Sequence, residues 1–217
     1  MAKLSQIIEP FATALGLPAR SMNVLAMVLR KGGLITKGGR GPAGAEMQSS
    51  DATNLLLAAM IGGEATSADK WVNRVRTARR QGHGLHDGKL PTVGFMRDTL
   101  GETLDALFSE MMSEGGLINL ESKLPITNIA LTVNQPSEFN CSADLWIDDG
   151  DTDGTLRFHR NGEVFDGIDV STLSDEQKRE IFSKIRRPRM HVTTSVGLDE
   201  LSELAEIIGG PFEEEME

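Results

Sequence analysis

Residues 49–63 read SSDATNLLLAAMIGG, and this stretch has the pattern of a helix buried in a protein interior. The run ATNLLLAAMI within it places apolar residues on most of the circumference of a helix. Ser49 or Ser50 can cap the start of this helix, and the glycine pair at 62–63 ends it. The sequence therefore predicts a buried helix over residues 51–61.

Amphipathic helices are predicted on both sides of this buried segment. In each of them apolar residues recur at spacings of three and four, which places them on one face of a helix. These helices are predicted over residues 4–16, 18–31, 67–80 and about 95–113. The last has the most regular apolar stripe, which is a candidate dimer seam or, equally, a face buried within its own domain.

The hydrophobic period changes from near 3.6 to 2 after residue 124, and a period of 2 indicates strands. Strands are predicted over residues 126–133, 141–148, 155–160 and 190–196, and helices near 175–185 and over 198–208. The predicted fold class is α+β. An N-terminal all-helical region precedes a smaller domain that consists of an antiparallel sheet plus helices.

The charge of the chain is divided unevenly between its two halves. The formal net charge is -10, but residues 1–97 carry 13 Lys and Arg against 6 Asp and Glu, whereas residues 98–217 carry 9 against 26. A basic half attracts polyanions, and an acidic half repels them, unless both are merely solvated surfaces. We therefore expect a basic helical DNA-binding region (1–97), a helix and linker (98–124) and an acidic α+β domain (125–217).

The composition excludes several classes of protein. Cys141 is the only cysteine, so an intramolecular disulfide and a metal cluster of cysteines are both excluded. The N-terminal stretch MAKLSQIIEPF lacks the long apolar region of a secretory signal. No apolar run approaches the roughly 20 residues needed to span a bilayer. These features predict a cytoplasmic protein with no membrane partner.

A basic, glycine-rich stretch follows the second predicted helix. Residues 22–44 read MNVLAMVLRKGGLITKGGRGPAG, in which an apolar run ends in two basic residues, a glycine pair and a loop. A helix that follows another helix and is itself followed by GLITKGGRG resembles the recognition helix and wing of a winged helix-turn-helix domain. The resemblance covers residues 4–45 and is closest to bacterial transcription regulators of the GntR type.

This resemblance implies a fold and a partner for the region. Leu29 would pack inward, and Gly33 would allow the turn. Leu34 and Ile35 would begin the wing strand. The region would bind double-stranded DNA, with the helix in the major groove and the wing along the backbone or in the minor groove. The alternative is an ordinary helical bundle in which the stretch GGRG is a flexible linker.

Elementary chemistry supports the same partner. Base edges are read by side chains at the start of a helix that fits the major groove, and phosphates are bound by cations and backbone N–H groups. The loop TKGGRG supplies both cations and bare backbone, and the basic helix over 67–80 could add phosphate contacts, although a solvated helix face is its simpler explanation. The candidate DNA-binding residues are Arg20, Ser21, Asn23, Arg30, Lys31, Lys37, Arg40, Arg74, Arg79 and Arg80.

The acidic stretch DDGDTDG matches only part of a calcium-binding loop. Asp149, Asp151 and Asp153 stand at the ligand spacing. Arg160 occupies the position at which an EF-hand requires Glu, and arginine cannot ligate calcium. Since the flanking segments are predicted strands, we expect an acidic β-turn here.

No enzyme motif stands out. The chain has neither G-x-S-x-G nor a P-loop, and GGRGPAG lacks the lysine and hydroxyl pair of a nucleotide cradle. His83, His86 and Asp87 lie close together in a glycine-rich loop, where a preformed metal site would be costly. We therefore predict no cofactor, no metal and no enzymatic activity.

The function predicted from the sequence is DNA binding by a prokaryotic or phage transcriptional regulator. Its acidic region would form homo-oligomers or bind a protein partner, since paired half-sites multiply the affinity of a regulator. The alternative is a phage structural or assembly protein, such as a packaging or virion component, that forms an oligomer. A third class, an inhibitor or DNA mimic, would bind a basic partner through the acidic half and would have no affinity for DNA.

Overall fold

Helices precede most of the strands in this fold. In a computed structural model of the chain, the described residues are 2–37, 46–62, 65–80, 94–113, 128–134, 140–148, 153–161, 174, 176 and 193–209. The helices are α1 (Leu4–Ala14), α2 (Ala19–Lys31), α3 (Ser49–Ile61), α4 (Ala68–Arg76), α5 (Leu100–Met111) and α6 (Leu198–Gly209). The strands are β1 (Arg79–Arg80), β2 (Asn128–Asn134), β3 (Asn140–Asp148), β4 (Asp153–Asn161) and β5 (Thr193–Gly197).

The five strands form one antiparallel sheet with the order β1-β4-β3-β2-β5. β2, β3 and β4 pair in the order of the chain, whereas β1 and β5 come from distant segments and add to the two edges. The fold class is therefore α+β, as the change in hydrophobic period predicted.

α3 lies at the centre of the fold. Every residue from Asp51 to Ala58 is buried, and Leu55, Leu56 and Leu57 are fully buried. α2, α4 and α5 contact this helix, and β2, β5 and α6 contact it as well. Because α3 is enclosed by these elements, apolar residues can occupy most of its circumference. The predicted buried helix is confirmed.

The sheet buries one face and leaves the other polar. In β2, the buried residues Ile129, Leu131 and Val133 alternate with less buried neighbours. β3 and β4 continue this buried face with residues such as Leu145 and Phe158. Such alternation is typical of a sheet that is covered on one side. The predicted strands are confirmed in the part of the chain that the structure describes, and residues 126–127 and 190–192 of those predictions lie outside it.

The apolar stripe of α5 belongs to the interior of the fold. All of its members are buried, namely Leu100, Leu104, Leu107, Phe108 and Met111. α5 contacts α3, α4 and α6, so these side chains pack within the same chain. The stripe is therefore not available as a dimer seam.

The packing continues across the boundary that the charge distribution suggested. Buried side chains of the helices and the sheet form one hydrophobic cluster that extends from Ile7 of α1 to Ile208 of α6. β1 belongs to the basic region but pairs with β4 of the acidic region. Since both regions contribute to one core in the described ranges, tests of binding require the full chain.

α4 ends earlier than predicted. The pattern predicted one helix over 67–80, but α4 ends at Arg76, and Arg79 and Arg80 form β1. Backbone groups beyond α4 find partners outside the helix, because the Leu100 N–H donates to the Ala78 carbonyl (3.0 Å). Hydrogen bonds to another segment thus replace those that a longer α4 would make within the helix.

α5 begins later than predicted because a capping box sets its start. Thr99 Oγ1 accepts from the Glu102 N–H (3.3 Å), and the Glu102 carboxylate accepts from the Thr99 N–H (3.3 Å). These two bonds satisfy N–H groups at the helix start, so α5 begins at Leu100. The helix predicted near 175–185 lies outside the described residues, apart from Glu176.

Candidate nucleic-acid interface

α2 buries one side in the core. Met22, Ala26 and Leu29 recur at the spacing of one helical face and are buried. Leu29 therefore packs inward, as the resemblance to a winged helix implied. The helix is anchored by this face without being enclosed, because its other residues are exposed or half-buried.

The exposed part of α2 carries half of the candidate DNA contacts. Arg20, Ser21 and Asn23 are exposed near its start, and Arg30 and Lys31 are exposed in its last turn. Basic side chains at the carboxyl end of a helix are also favoured by the helix dipole, so the last pair stabilises the helix as well. The structure thus brings these five candidates onto one solvent-facing helix.

Two apolar side chains lie within this polar surface. Val24 and Met27 are 41% and 65% exposed, and they lie three residues apart on α2, which places them on one face. Exposed apolar groups on a helix can contact thymine methyl groups in the major groove, or an apolar surface of another protein. The pair is therefore compatible with either kind of partner.

The chain turns sharply after α2. Gly33 has a φ of 79°, in the left-handed region that favours glycine, so this residue allows the turn as predicted. A Cβ placed on Gly32 would lie 2.7 Å from the Cβ of Asp69. The end of α2 therefore approaches the start of α4 too closely for a larger residue at this position.

Leu34 and Ile35 do not begin a strand, so the predicted wing strand is wrong at these two positions. The Leu34 carbonyl accepts a hydrogen bond from Asn54 Nδ2 of α3, and Ile35 is buried in the core. The Leu34 carbonyl therefore bonds to α3 and not to a neighbouring strand. The segment is therefore held against α3.

Asp51 of α3 closes the base of the basic loop. Its carboxylate accepts one hydrogen bond from the Thr36 N–H (2.8 Å) and another from the Gln48 N–H (2.8 Å). Thr36 and Gln48 bracket the glycine-rich loop, and Asp51 is only 1% exposed. Bonds from backbone N–H groups to a carboxylate are among the stronger hydrogen bonds in proteins. This arrangement of Asp51, Thr36 and Gln48, the loop clasp, holds both ends of the loop against α3.

Backbone pairing also holds the returning end of the loop. The Met47 N–H donates to the Ala2 carbonyl (3.0 Å), and Lys3 and Glu46 form an isolated antiparallel bridge. Met47 is itself buried. The end of the loop is therefore fastened to the segment that precedes α1.

Two of the candidate contacts belong to this loop. Lys37 is exposed and directly follows Thr36 of the loop clasp. Arg40 lies outside the described residues. Lys37 therefore stands at the fixed base of the loop, where the chain leaves α2 and the core.

A polar network connects the loop base to α4 and α5. Asn54, which donates to the Leu34 carbonyl, accepts a hydrogen bond from Arg76 Nη1 (3.0 Å). Arg76 also makes a bidentate ion pair with Asp105, with N–O distances of 3.0 and 2.5 Å. Asn54 is buried, and the ion pair is mostly buried. Hydrogen bonds in such a network strengthen one another, so it ties three helices together beside the loop.

Arg74 is not a surface residue, so the phosphate contact predicted for it is wrong. It is 5% exposed, and its guanidinium lies 5.8 Å from the centroid of the Trp71 ring. Its carbonyl accepts a hydrogen bond from Cys141 Sγ (3.6 Å), which shows that this part of α4 packs against the sheet. Arg79 and Arg80 are exposed, but they lie on β1 at the sheet edge instead of on a helix.

The sheet places further basic residues near Arg79 and Arg80. The register of β1 and β4 sets Arg79 opposite His159 and Arg80 opposite Phe158, and Arg157 lies two residues before His159. A two-residue strand has no hydrophobic period, so no sequence signal pairs β1 with β4.

The Cys141 thiol is expected to be unreactive in the folded protein. It is 2% exposed, and burial raises the pKa of the thiol above its usual value, although the cations of Arg74 and Arg160 oppose this shift. Because the thiolate is the reactive form, native protein should react with dithionitrobenzoate at pH 8 roughly a hundredfold more slowly than unfolded protein. Absorbance time courses with and without guanidinium measure both rates, and equal rates would contradict the burial of this thiol.

The acidic stretch DDGDTDG joins β3 and β4, so its flanks are strands as predicted. Asp153 at the start of β4 accepts a hydrogen bond from Trp146 Nε1 (3.3 Å). In the part of the chain that the structure describes, no group of three or more His, Cys, Asp or Glu could hold a metal ion. The other acidic and histidine candidates lie outside that part, namely Asp149, Asp151, His83, His86 and Asp87.

Among the described residues, no helix is long and apolar enough to cross a membrane.

Comparison with models of protein families, with curated proteins and with solved structures gives no match for this chain. The resemblance to a winged helix therefore stays a prediction, and function is inferred from the chemistry of the chain itself.

Proposed function

We propose that this protein binds double-stranded DNA through the exposed side of α2 and the loop that follows it. The observation that carries the proposal is an anchored helix with Arg20 and Asn23 exposed at its start, followed by a basic loop whose base is held by the loop clasp. The major groove of B-DNA is about 12 Å wide and admits an α-helix. An exposed helix followed by a cationic loop with a fixed base suits such a groove and the backbone that borders it.

The two ends of α2 would make different contacts. At its start, Arg20 can read guanine, Asn23 can read adenine, and Ser21 can bond to either base. At its end, cations of the helix and the loop would bind phosphates, which orient a protein on DNA without reading sequence. Those cations are Arg30, Lys31, Lys37 and Arg40.

The acidic part of the chain would serve protein contacts. Residues 98–217 carry most of the acidic side chains, so they are repelled by DNA and are suited to contacts with another copy or a protein partner. Regulators commonly dimerise because paired half-sites raise affinity. We propose accordingly a cytoplasmic, homo-oligomeric transcriptional regulator of a prokaryote or phage, without enzymatic activity.

Loss of a loop cation should weaken binding to every DNA sequence. Lys37→Ala and Arg40→Ala are each expected to lower affinity about fivefold at 0.15 M salt and to reduce the salt slope by about 1. Arg20→Ala or Asn23→Ala should cost about 1–3 kcal/mol on the preferred sequence and less on others. Fluorescence anisotropy of the full chain with labelled duplexes, at several salt concentrations, measures both effects.

Asn73 supplies a matched control, since it is an exposed asparagine on α4 rather than α2. Asn73→Ala should leave both affinity and sequence preference unchanged. If the full chain failed to bind duplex DNA at 50 mM salt, the proposed function would be rejected. If Asn23→Ala weakened binding equally on all sequences, the base-reading role of α2 would be rejected.

The exposed Val24 and Met27 favour a second candidate, a phage structural or assembly protein. Apolar side chains in the middle of an exposed helix face are suited to burial against another protein. Light scattering after size exclusion separates the two candidates. A large closed ring that lacks affinity for DNA supports assembly, whereas a dimer that binds DNA supports regulation.

A further inference from the structure

The edge of the sheet at β1 carries basic side chains close to an imidazole. Arg79 stands directly opposite His159, and Arg80 stands opposite Phe158. Directly opposed residues of an antiparallel pair have Cβ atoms about 4.5–5.5 Å apart and lie on the same face of the sheet. Phe158 is buried, so Arg79 and His159 lie on the opposite, polar face. Arg79 and Arg80 are both exposed.

A further arginine lies on the segment that pairs with β1. Thr99 forms an isolated antiparallel bridge with Arg79, and the Asp98 carbonyl accepts from the Arg80 N–H (2.8 Å). The segment that leads into α5 therefore runs along β1. Arg97 in this segment is exposed, and its Nη1 donates to two nearby backbone carbonyls (2.7 and 2.8 Å). Arg80 stands opposite buried Phe158 and so lies on the other face of the sheet, and we name Arg79, Arg97 and His159 the edge cluster.

The acidic residues around the edge cluster leave positive charge in excess. Asp98 is exposed beside it, and Glu102 is bonded to Thr99 as the cap of α5. Asp144 forms an ion pair with Arg157 (Nε–O 2.8 Å), so these two charges offset each other. Counting both faces of this edge, Arg79, Arg80 and Arg97 therefore stand near two carboxylates, in a chain whose formal net charge is -10. A local excess of this sign attracts a polyanion.

His159 adds a charge that depends on pH. Burial lowers the pKa of its imidazole from the usual value, so the ring is neutral at pH 7.5 in the protein alone. The register sets Arg79 and Ser142 opposite it on the two neighbouring strands, with Arg157 on its own strand and Asp144 diagonally on β3. A phosphate bound between Arg79 and the imidazole would favour the protonated ring. By linkage, such a phosphate binds more tightly as pH falls.

We propose that the edge cluster is a second contact for the phosphate backbone of duplex DNA, at which its arginines bind phosphate oxygens and protonated His159 joins them. This contact rests on the DNA binding proposed for α2. α4 connects the two surfaces, since its start contacts the end of α2 and β1 follows its end. A helix of 9 residues is about 14 Å long, well under the roughly 34 Å of one DNA turn. The separation of the two surfaces along α4 is therefore shorter than one turn of a duplex.

Substitution of Arg79 tests the arginine contact. Arg79→Gln is expected to weaken binding of the full chain to a mixed-sequence duplex about fivefold at 0.15 M salt and to reduce the salt slope by about 1. Arg79→Lys keeps the charge and should stay within about twofold of the unsubstituted protein, because a phosphate accepts a point charge. Anisotropy titrations over a salt series measure both variants, and thermal melting checks that both are folded.

Substitution of His159 tests the dependence on pH. Between pH 7.5 and pH 5.5 the unsubstituted protein should gain about fivefold more affinity for the duplex than His159→Gln does. Acidification changes the charge of other groups equally in both proteins, so the difference between them isolates this imidazole. If His159→Gln does not fold, His159→Asn gives the same comparison, because asparagine also lacks a group that titrates in this pH range.

The outcomes separate this contact from the proposed function. If Arg79→Gln and Arg97→Gln keep the salt slope of the unsubstituted protein while Lys37→Ala lowers it, the second contact is overturned and DNA binding through α2 stands. If the unsubstituted chain shows no affinity for duplex DNA, both proposals are overturned. A reduced salt slope in the edge-cluster variants and in Lys37→Ala, together with the smaller gain of affinity at low pH in His159→Gln, supports both the second contact and DNA binding through α2.

Discussion

Replacement of Asp51 with alanine is expected to lower the free energy of unfolding by about 2–4 kcal/mol. The substitution removes the acceptor for the Thr36 N–H and the Gln48 N–H, which bracket the basic loop. Asp51 is almost completely buried, so water replaces its carboxylate poorly. Urea denaturation followed by circular dichroism measures the loss, with an unchanged m-value as evidence of a similar folded state.

Glu102 is the matched control, because it occupies the same third position of a capping box in α5 as Asp51 does in α3. Glu102 is exposed and bonds to neighbouring Thr99, whereas Asp51 also holds the distant Thr36. Glu102→Ala should therefore cost only about 0.5–1 kcal/mol. Equal losses at the two positions would show that Asp51 acts as a helix cap alone.

Asp51→Asn separates the orientation of the loop from the stability of the fold. The asparagine keeps the size of the side chain and one acceptor oxygen, so part of the loop clasp is retained. DNA affinity should fall by no more than the loss of Lys37 produces, about fivefold, while the sequence preference set by α2 should persist. A change in sequence preference would show that the clasp also positions α2.

Removal of one partner of the Arg76–Asp105 ion pair is expected to cost about 2–3 kcal/mol of unfolding free energy. Asp105→Ala leaves the Arg76 guanidinium with Asn54 as its neighbour but without a bidentate carboxylate. The two side chains are 18% and 25% exposed, so water compensates in part and the loss is smaller than for a fully buried pair. Urea denaturation of the single variants measures it.

A double variant and a second ion pair control this experiment. Arg76→Met combined with Asp105→Leu should recover part of the loss, because no charge then lacks its partner. Asp144→Ala removes a partner from the more exposed Arg157–Asp144 pair and should cost at most about 1 kcal/mol. If Asp105→Ala were no more destabilising than Asp144→Ala, the proposed role of the network around the loop base would be excluded.

Periodicity predicted the long elements well and their ends poorly. α3 was recognised because its apolar residues surround the helix, and β2 was recognised by its alternation. The end of α4 was misplaced because a distant partner sets it, and the start of α5 was misplaced because the capping box of Thr99 and Glu102 sets it within an apolar pattern that extends further. Ala78 and Leu100 bond to each other across the segment between these helices, and no local pattern records that bond.

The candidate surface was predicted in part for a similar reason. Helical spacing placed the charges of α2 on the side away from Leu29, and the structure has them exposed. Spacing alone did not indicate which side of α4 meets the sheet, so Arg74 was assigned to the surface although it is buried. Asp51 and Asn54 are polar residues of an apolar helix. The sequence does not indicate that they bond to the backbone of Thr36 and Leu34 at the start of the loop.

By itself, the sequence determined the fold class, the buried central helix and the concentration of positive charge around α2, because hydrophobic period and charge are properties of neighbouring residues. The tertiary structure alone decided that Asp51 closes the basic loop, that β1 joins β4, and that the two oppositely charged halves share one core. Each of these depends on contacts between residues far apart in the chain. Such contacts are selected by the packing of the whole fold, which spacing along the chain does not encode.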